Sequence, residues 1–83
     1  MESINTPVRV GAVFGPGNRI KPVWFDWKKR KYTIQEITYR WQEQDGEETA
    51  FHFAVSDGND LFELAYNSGS QIWLLTALEV GNG

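Results

Sequence analysis

Cysteine is absent from the 83-residue sequence, and histidine and methionine occur once each. Without cysteine, neither a disulfide framework nor a thiolate site can form, so the fold depends on packing alone. One histidine with no cysteine also leaves too few ligands for the usual zinc sites and removes most catalytic groupings. The sequence therefore predicts a protein that is not an enzyme and that carries no metal or other cofactor.

Long apolar runs are also missing. No stretch approaches the ~18 apolar residues of a membrane helix, so we expect no membrane-spanning segment. The first residues, Met1–Ile4, have neither the basic nor the apolar region of a signal peptide. These absences predict a complete cytoplasmic protein made of one β domain, residues 1–83, with frayed ends at 1–5 and 79–83.

Basic residues are missing from the second half of the chain. All eight Lys and Arg side chains lie between Arg9 and Arg40. With three acids, residues 1–41 carry a net charge of +5, whereas residues 42–83 contain eight acids and carry −8. Such asymmetry points to polyanion binding or charge-guided association, unless interleaved strands mix both signs on one surface.

Aromatic and apolar residues are plentiful by contrast, at 14% and 41% of the chain. They occur in short stretches between turn residues such as Gly15–Asn18 and Asp57–Asp60, which is the pattern of an all-β protein. Successive strands joined by short turns mostly pair with their neighbours. We therefore predict an antiparallel meander of five to six strands, as a strongly curled sheet or a small SH3-like barrel.

Alternation of apolar residues places most of the strands. We expect them at 7–14, 20–27, 49–56, 61–66 and 71–78. The inward residues of the last three give the predicted core: Phe51, Phe53, Phe62, Leu64, Ile72 and Leu74. The last stretch is apolar on its other face as well, at Trp73, Leu75 and Ala77. Such a strand needs a cover on both sides, from the opposite sheet or from another chain.

The segment 32–42 has two interpretations. Its apolar residues change parity midway, with Tyr32 and Ile34 on one face and then Ile37, Tyr39 and Trp41 on the next. One extra residue at Gln35–Glu36, as in a β-bulge, would restore a single apolar face. A capping-box pattern at Thr33–Glu36 leaves open a helix over 33–45. We favour the bulged strand, because β-branched and aromatic residues lose rotamer freedom in helices.

The stretch KPVWFDWKKRKY, Lys21–Tyr32, carries the main hypothesis about a binding site. Its aromatic residues precede four consecutive positive side chains, as in grooves that bind single-stranded nucleic acid. The candidate nucleic-acid-binding residues are Trp24, Trp27, Lys28, Lys29, Arg30 and Lys31. The alternative is a hairpin whose aromatics enter the core and whose basic tip is solvated. Trp24 separates these interpretations: exposed, it would offer a stacking platform, and packed, it would belong to the core.

The residues from Pro22 to Trp41 also resemble a known family. This family comprises small uncharacterised bacterial all-β domains with a motif near P-x-x-F-x-W-x-G-R-x-Y-x-V-x-E-V-x-x-x-W. The chain matches the aromatic positions of the motif and departs from it at Lys29, where the motif usually has glycine. Some members are associated with Y-family DNA polymerase-type proteins, so the resemblance implies a link to DNA metabolism.

These observations leave two functions of different kinds. The first is a non-catalytic protein-interaction or self-associating module, indicated by the doubly apolar last strand and the bipolar charge. The second is weak, sequence-tolerant binding of single-stranded nucleic acid. The expected partner is thus an unidentified protein, a second copy or nucleic acid, and not a membrane. One positive face containing Trp24 would favour nucleic acid, and a surface of mixed sign with an apolar patch would favour protein.

Overall fold

A computed structural model describes residues 1–17 and 19–81. These residues form eight β-strands: β1 (Glu2–Pro7), β2 (Arg9–Phe14), β3 (Ile20–Trp27), β4 (Arg30–Thr33), β5 (Glu36–Asp45), β6 (Glu48–Ser56), β7 (Leu61–Asn67) and β8 (Ile72–Glu79). All the strand pairs are antiparallel. The predicted all-β, antiparallel class is confirmed, with more strands than the five to six expected. Within the described residues, no helix has the length and apolarity that crossing a membrane requires.

The strands form two sheets. The larger sheet has the order β1-β8-β7-β6-β5, and the smaller sheet has the order β2-β3-β4. The chain changes sheets at two corners, at Val8 and at Ile34–Gln35. At the second corner the Ile34 amide donates to Val23 of the smaller sheet, and the Gln35 amide donates to Ser56 of the larger. Strands that bend from one sheet into the other are typical of two crossed sheets rather than of one closed barrel.

β3 crosses the larger sheet from its β5 side to its β1 side. At the start of β3, the carbonyl of Ile20 accepts a hydrogen bond from Nη1 of Arg40 on β5, with an N–O distance of 2.7 Å. At its end, Trp27 lines a surface hollow together with Ile4 of β1 and Leu78 of β8. The tip of the β3–β4 hairpin therefore lies at the β1 edge of the larger sheet.

The hydrophobic core lies between the two sheets. Phe25 of the smaller sheet meets Phe62 of the larger edge to face, with ring centroids 5.0 Å apart. Tyr32 stacks on Phe25 at the same centroid distance. The hydrophobic side chains with under 2% exposure are Phe25, Val55, Phe62, Leu64 and Leu75. Full burial of such side chains contributes about 1.5–3 kcal/mol each, so this cluster is the main source of stability.

Three strands have the extent that the sequence predicts, to within one residue. β3 spans the expected 20–27, β6 covers the expected 49–56 with one further residue at its start, and β7 covers the expected 61–66 with one further residue at its end. The alternation in β6 and β7 is also as predicted, and Tyr66 of β7 packs against the core. The predicted core residues that are buried are Phe51, Phe53, Phe62 and Leu64.

The segment 33–45 is not a helix, because its last ten residues form β5 and pair with β6. We predicted that an extra residue at Gln35–Glu36 produces the change of parity, but the irregularity lies elsewhere in the segment. The corner turns the chain at Gln35, and a bulge follows at Thr38, whose hydroxyl donates to the carbonyl of Ala54. As a result Ile37 packs on the core, whereas Tyr39 is 65% exposed on the outer face.

The expected inward face of β8 is wrong. Trp73 and Leu75 are buried in the core, and Ile72, which we predicted there with Leu74, is 49% exposed. Both faces of this stretch are apolar, so alternation alone did not decide between them. A bulge at Thr76 then shifts the register with β7. As a result, the core-facing side chains are Trp73 and Leu75 before the bulge and Leu78 after it.

Residues 2–5, within the end 1–5 that we expect to fray, belong to β1, which pairs with β8. Ile4 packs against the core and gives this otherwise polar strand its hydrophobic anchor. At the other end β8 continues to Glu79, the first residue of the segment 79–83 that we expect to fray. Asn82 and Gly83, also predicted to fray, lie outside the described residues.

Candidate functional site

Charge is segregated between the two sheets. Residues 8–33, which form the smaller sheet and its turns, contain seven of the eight bases and one acid, a net charge of +6. The rest of the chain contains ten acids and Arg40, a net charge of −9. Apart from Asp26 on β3 and Arg40 on β5, the two signs therefore lie on different sheets.

Trp24 lies on the outer face of the smaller sheet and outside the core. Its neighbour in sequence, Phe25, is fully buried, and alternation along β3 turns Trp24 to the opposite side. Trp24 pairs with Gly11 on β2 and with Thr33 on β4. The indole lies across Gly11, in the space that a side chain at position 11 would occupy. The ring is half-buried by this contact and remains at the surface.

Two cations flank the Trp24 ring. The guanidinium carbon of Arg9 lies 5.3 Å from the ring centroid, and Nζ of Lys31 lies 4.8 Å from it. Both distances are within the range of cation–π attraction. Arg9 also forms an ion pair with Asp26, with a 2.6 Å distance between Nη2 and Oδ2. The outer face thus presents one aromatic ring between two positive side chains.

The six predicted site residues do not form one surface. Trp24 and Lys31 share the outer face, but Trp27 packs partly against the core and its ring is covered by Nζ of Lys28 at 4.8 Å. Arg30 lies over Tyr32 in the same way. Arg9 belongs to the site and was not predicted, because it comes from another strand and only the β2–β3 register brings it to Trp24.

The tip of the β3–β4 hairpin is a two-residue turn with an unusual backbone. Lys28 and Lys29 have φ angles of 51° and 63°, in the left-handed region. Hairpin turns with two positive φ angles favour Asn-Gly, because Cβ approaches the following carbonyl oxygen in this conformation, glycine has no Cβ, and the short polar side chain of asparagine can hydrogen-bond locally. Strained residues concentrate at functional positions, so two adjacent lysines in this conformation mark the tip as a place to test for function.

The outer face of the larger sheet carries a second candidate site. One row of paired residues crosses all five strands: Trp41, His52, Ala65, Leu74 and Pro7. The small side chain of Ala65 forms the floor of a groove of about 630 Å³ between larger neighbours. Glu43 and Asp45 also line it. We call this feature the outer groove.

His52 stands at one wall of the outer groove. Its ring stacks on Trp41, with centroids 5.0 Å apart and planes 10° apart, and Trp41 in turn stacks on Tyr39. Its Nε2 atom is buried without a hydrogen-bond partner, 3.6 Å from Oε1 of Glu43. Within the described residues, no group of three or more His, Asp or Glu side chains is placed to hold a metal ion.

No family model, no curated protein and no solved structure matches the chain.

Proposed function

We propose that the protein is a non-catalytic binding module that holds single-stranded nucleic acid on the outer face of its smaller sheet. The observation that carries this proposal is the position of Trp24 between Arg9 and Lys31 on a sheet of net charge +6. A base that stacks on Trp24 gains about 1–3 kcal/mol and displaces Arg9 and Lys31 from their positions over the ring, so that both cations can reach phosphates. Binding of this kind is weak and nearly independent of sequence.

The separation of charge removes the main objection to this function, which is repulsion of phosphate by the acidic residues. Electrostatic interactions at physiological salt decay over about 8 Å. The shortest dimension of the molecule is 23 Å. Acids on the outer face of the larger sheet are therefore screened from a strand that binds the opposite face.

The resemblance of Pro22–Trp41 to bacterial domains associated with DNA polymerase-type proteins also supports binding of nucleic acid. Its motif includes the positions of Trp27, Arg30 and Tyr32 in the β3–β4 hairpin. The proposal accordingly places the protein in bacterial DNA metabolism, in the cytoplasm, with single-stranded DNA as the first ligand to test.

Fluorescence anisotropy with a labelled oligothymidylate of about ten nucleotides tests the proposal, since this length matches the site size of small β domains. Each phosphate contact lowers the slope of log affinity against log salt by about 0.7. Contacts from Arg9, Lys31 and the two turn lysines predict a slope of about −2 to −3.

Two tryptophan variants provide a matched comparison. Trp24→Ala should weaken binding at least tenfold, which is about the loss of one stacked base. Trp41→Ala, on the larger sheet, removes an aromatic ring of the same size and should leave the affinity unchanged. Absence of binding at low salt would contradict the proposal, and so would binding that is insensitive to Trp24→Ala.

Protein interaction through the outer groove is the second candidate function. It is favoured by the exposure of apolar side chains on that face, including Tyr39 and Ile72. Exposed apolar patches with a polar rim commonly mark protein-binding sites. The two functions use opposite faces and do not exclude one another.

A further inference from the structure

The outer face of the larger sheet has the composition of a covered surface. Three cross-strand rows make up its centre: Tyr39, Ala54, Glu63, Ala77 and Ser3; Trp41, His52, Ala65, Leu74 and Pro7; and Glu43, Ala50, Asn67 and Ile72. Nine of these fourteen side chains are apolar or aromatic, whereas a solvated face of an antiparallel sheet is usually polar. Within the described residues the smaller sheet covers only the opposite face. The face therefore has the character of an interaction surface.

The charge of this face restricts its partner. Its central rows contain Glu43 and Glu63 and no Lys or Arg, and Asp45 lines the outer groove as well. Two copies packed with these faces together would bring the carboxylates of Glu43, Asp45 and Glu63 of each copy close together, and like charges at an interface are unfavourable. We therefore expect a cationic occupant.

The chain itself presents such an element. The β3–β4 tip carries Lys28, Lys29 and Arg30, all exposed, at the β1 edge of the larger sheet. The tip is a turn of only two residues, and the outer groove that it would enter is walled by His52 and Leu74. The alkyl chain of lysine can cover apolar surface while its ammonium group keeps polar contacts. In the outer groove the stems would lie on Ala50 and Ala65 with the ammonium groups near the carboxylates.

We propose that the protein self-associates head to tail, with the β3–β4 tip of one copy bound in the outer groove of the next. Donor and acceptor surfaces differ, so the contact is heterologous and an assembly of any length leaves one free tip at one end and one free groove at the other. The contact between a hairpin tip and a groove is smaller than the ~1,000 Å² of stable interfaces, so the association is weak. It is also strengthened by low salt, since it joins opposite charges.

Charge-reversal complementation tests this arrangement. The tip-reversed variant carries Lys28→Glu and Lys29→Glu, and the groove-reversed variant carries Glu43→Lys and Asp45→Lys. Each variant alone has a tip and a groove of the same sign and should remain monomeric. In an equimolar mixture each tip meets a groove of opposite sign, so association should return.

Sedimentation equilibrium without nucleic acid provides the measurement, which keeps the outcome independent of oligonucleotide binding. At low salt and concentrations approaching 1 mM, suited to weak contacts, the wild type should exceed the monomer mass of 9.5 kDa. The average mass should rise at least about twofold and return to that of the monomer in high salt. The mixture of the two variants should behave as the wild type does.

Glu79→Lys is the control, because it reverses one charge on the larger sheet outside the residues that line the outer groove. It should associate as the wild type does. A wild type that stays monomeric throughout would overturn the proposal. So would a mixture that fails to associate, or a tip-reversed variant that associates as strongly as the wild type, since another surface would then be responsible.

Discussion

Gly11 and Trp24 face each other across β2 and β3, and the indole ring fills the volume that a side chain at position 11 would need. The absence of a Cβ lets the ring lie against the backbone of β2. This contact holds the ring between Arg9 and Lys31. Glycine at this position therefore determines the orientation of the aromatic residue at the centre of the candidate site.

Gly11→Val is expected to destabilise the protein by about 1–3 kcal/mol, the usual cost of forcing extra atoms into a packed site. The added side chain collides with the indole and must displace it. Urea unfolding gives the loss of stability, and a shift of the tryptophan emission reports the displacement. Gly69→Ala is the control, because its new Cβ meets only the flexible end of Glu48 and should cost little. Equal stability of Gly11→Val and the wild type would show that Trp24 does not rest on Gly11.

Replacing the strained turn should stabilise the protein. Lys28→Asn combined with Lys29→Gly supplies the residues that tolerate two positive φ angles, and we expect a gain of about 1 kcal/mol or more. The urea midpoint measures it. The converse exchange at the other two-residue hairpin, Gly46→Lys, places a side chain at a φ of 64° and should destabilise by about 1 kcal/mol. An unchanged midpoint in the first variant would mean that the lysines are not strained.

The two faces of β8 should differ sharply in their response to truncation. Leu75→Ala empties a fully buried position and is expected to cost about 2–5 kcal/mol. Ile72→Ala, on the outer face and half exposed, should cost less than about 1 kcal/mol. Thermal melts of both variants check this. A larger loss for Ile72→Ala than for Leu75→Ala would restore the inward face that the sequence suggests.

The sequence predicts a strand well where one face of the strand is apolar and the strand with which it pairs is close in sequence. β3 and β6 are of this kind, and the alternation of Phe51, Phe53 and Val55 is enough to orient β6. Prediction fails where a bulge changes the parity, as at Thr38 and Thr76. It also fails for β1, whose one core residue is Ile4 and whose partner strand is at the other end of the chain.

The candidate site could be predicted only in part. Alternation places Trp24 opposite Phe25, and the basic run locates the hairpin tip. The contribution of Arg9 depends on the register between β2 and β3, which includes an irregularity after Gly11. The outer groove depends on the side of β8 that faces outwards, and two apolar faces gave no basis for that choice. The register between paired strands therefore determines those parts of the candidate sites that the local sequence pattern does not predict.

The pairing of β1 with β8 has a consequence for how the chain folds as it is synthesised. β1 is made first, and its partner is made last. Until β8 is complete, the edge of β7 with which it pairs stays free, and unpaired edges are prone to aggregate. Pairing between distant segments also slows folding. We therefore expect the nascent chain to acquire its native structure only after β8 has left the ribosome, and to depend on chaperones until then.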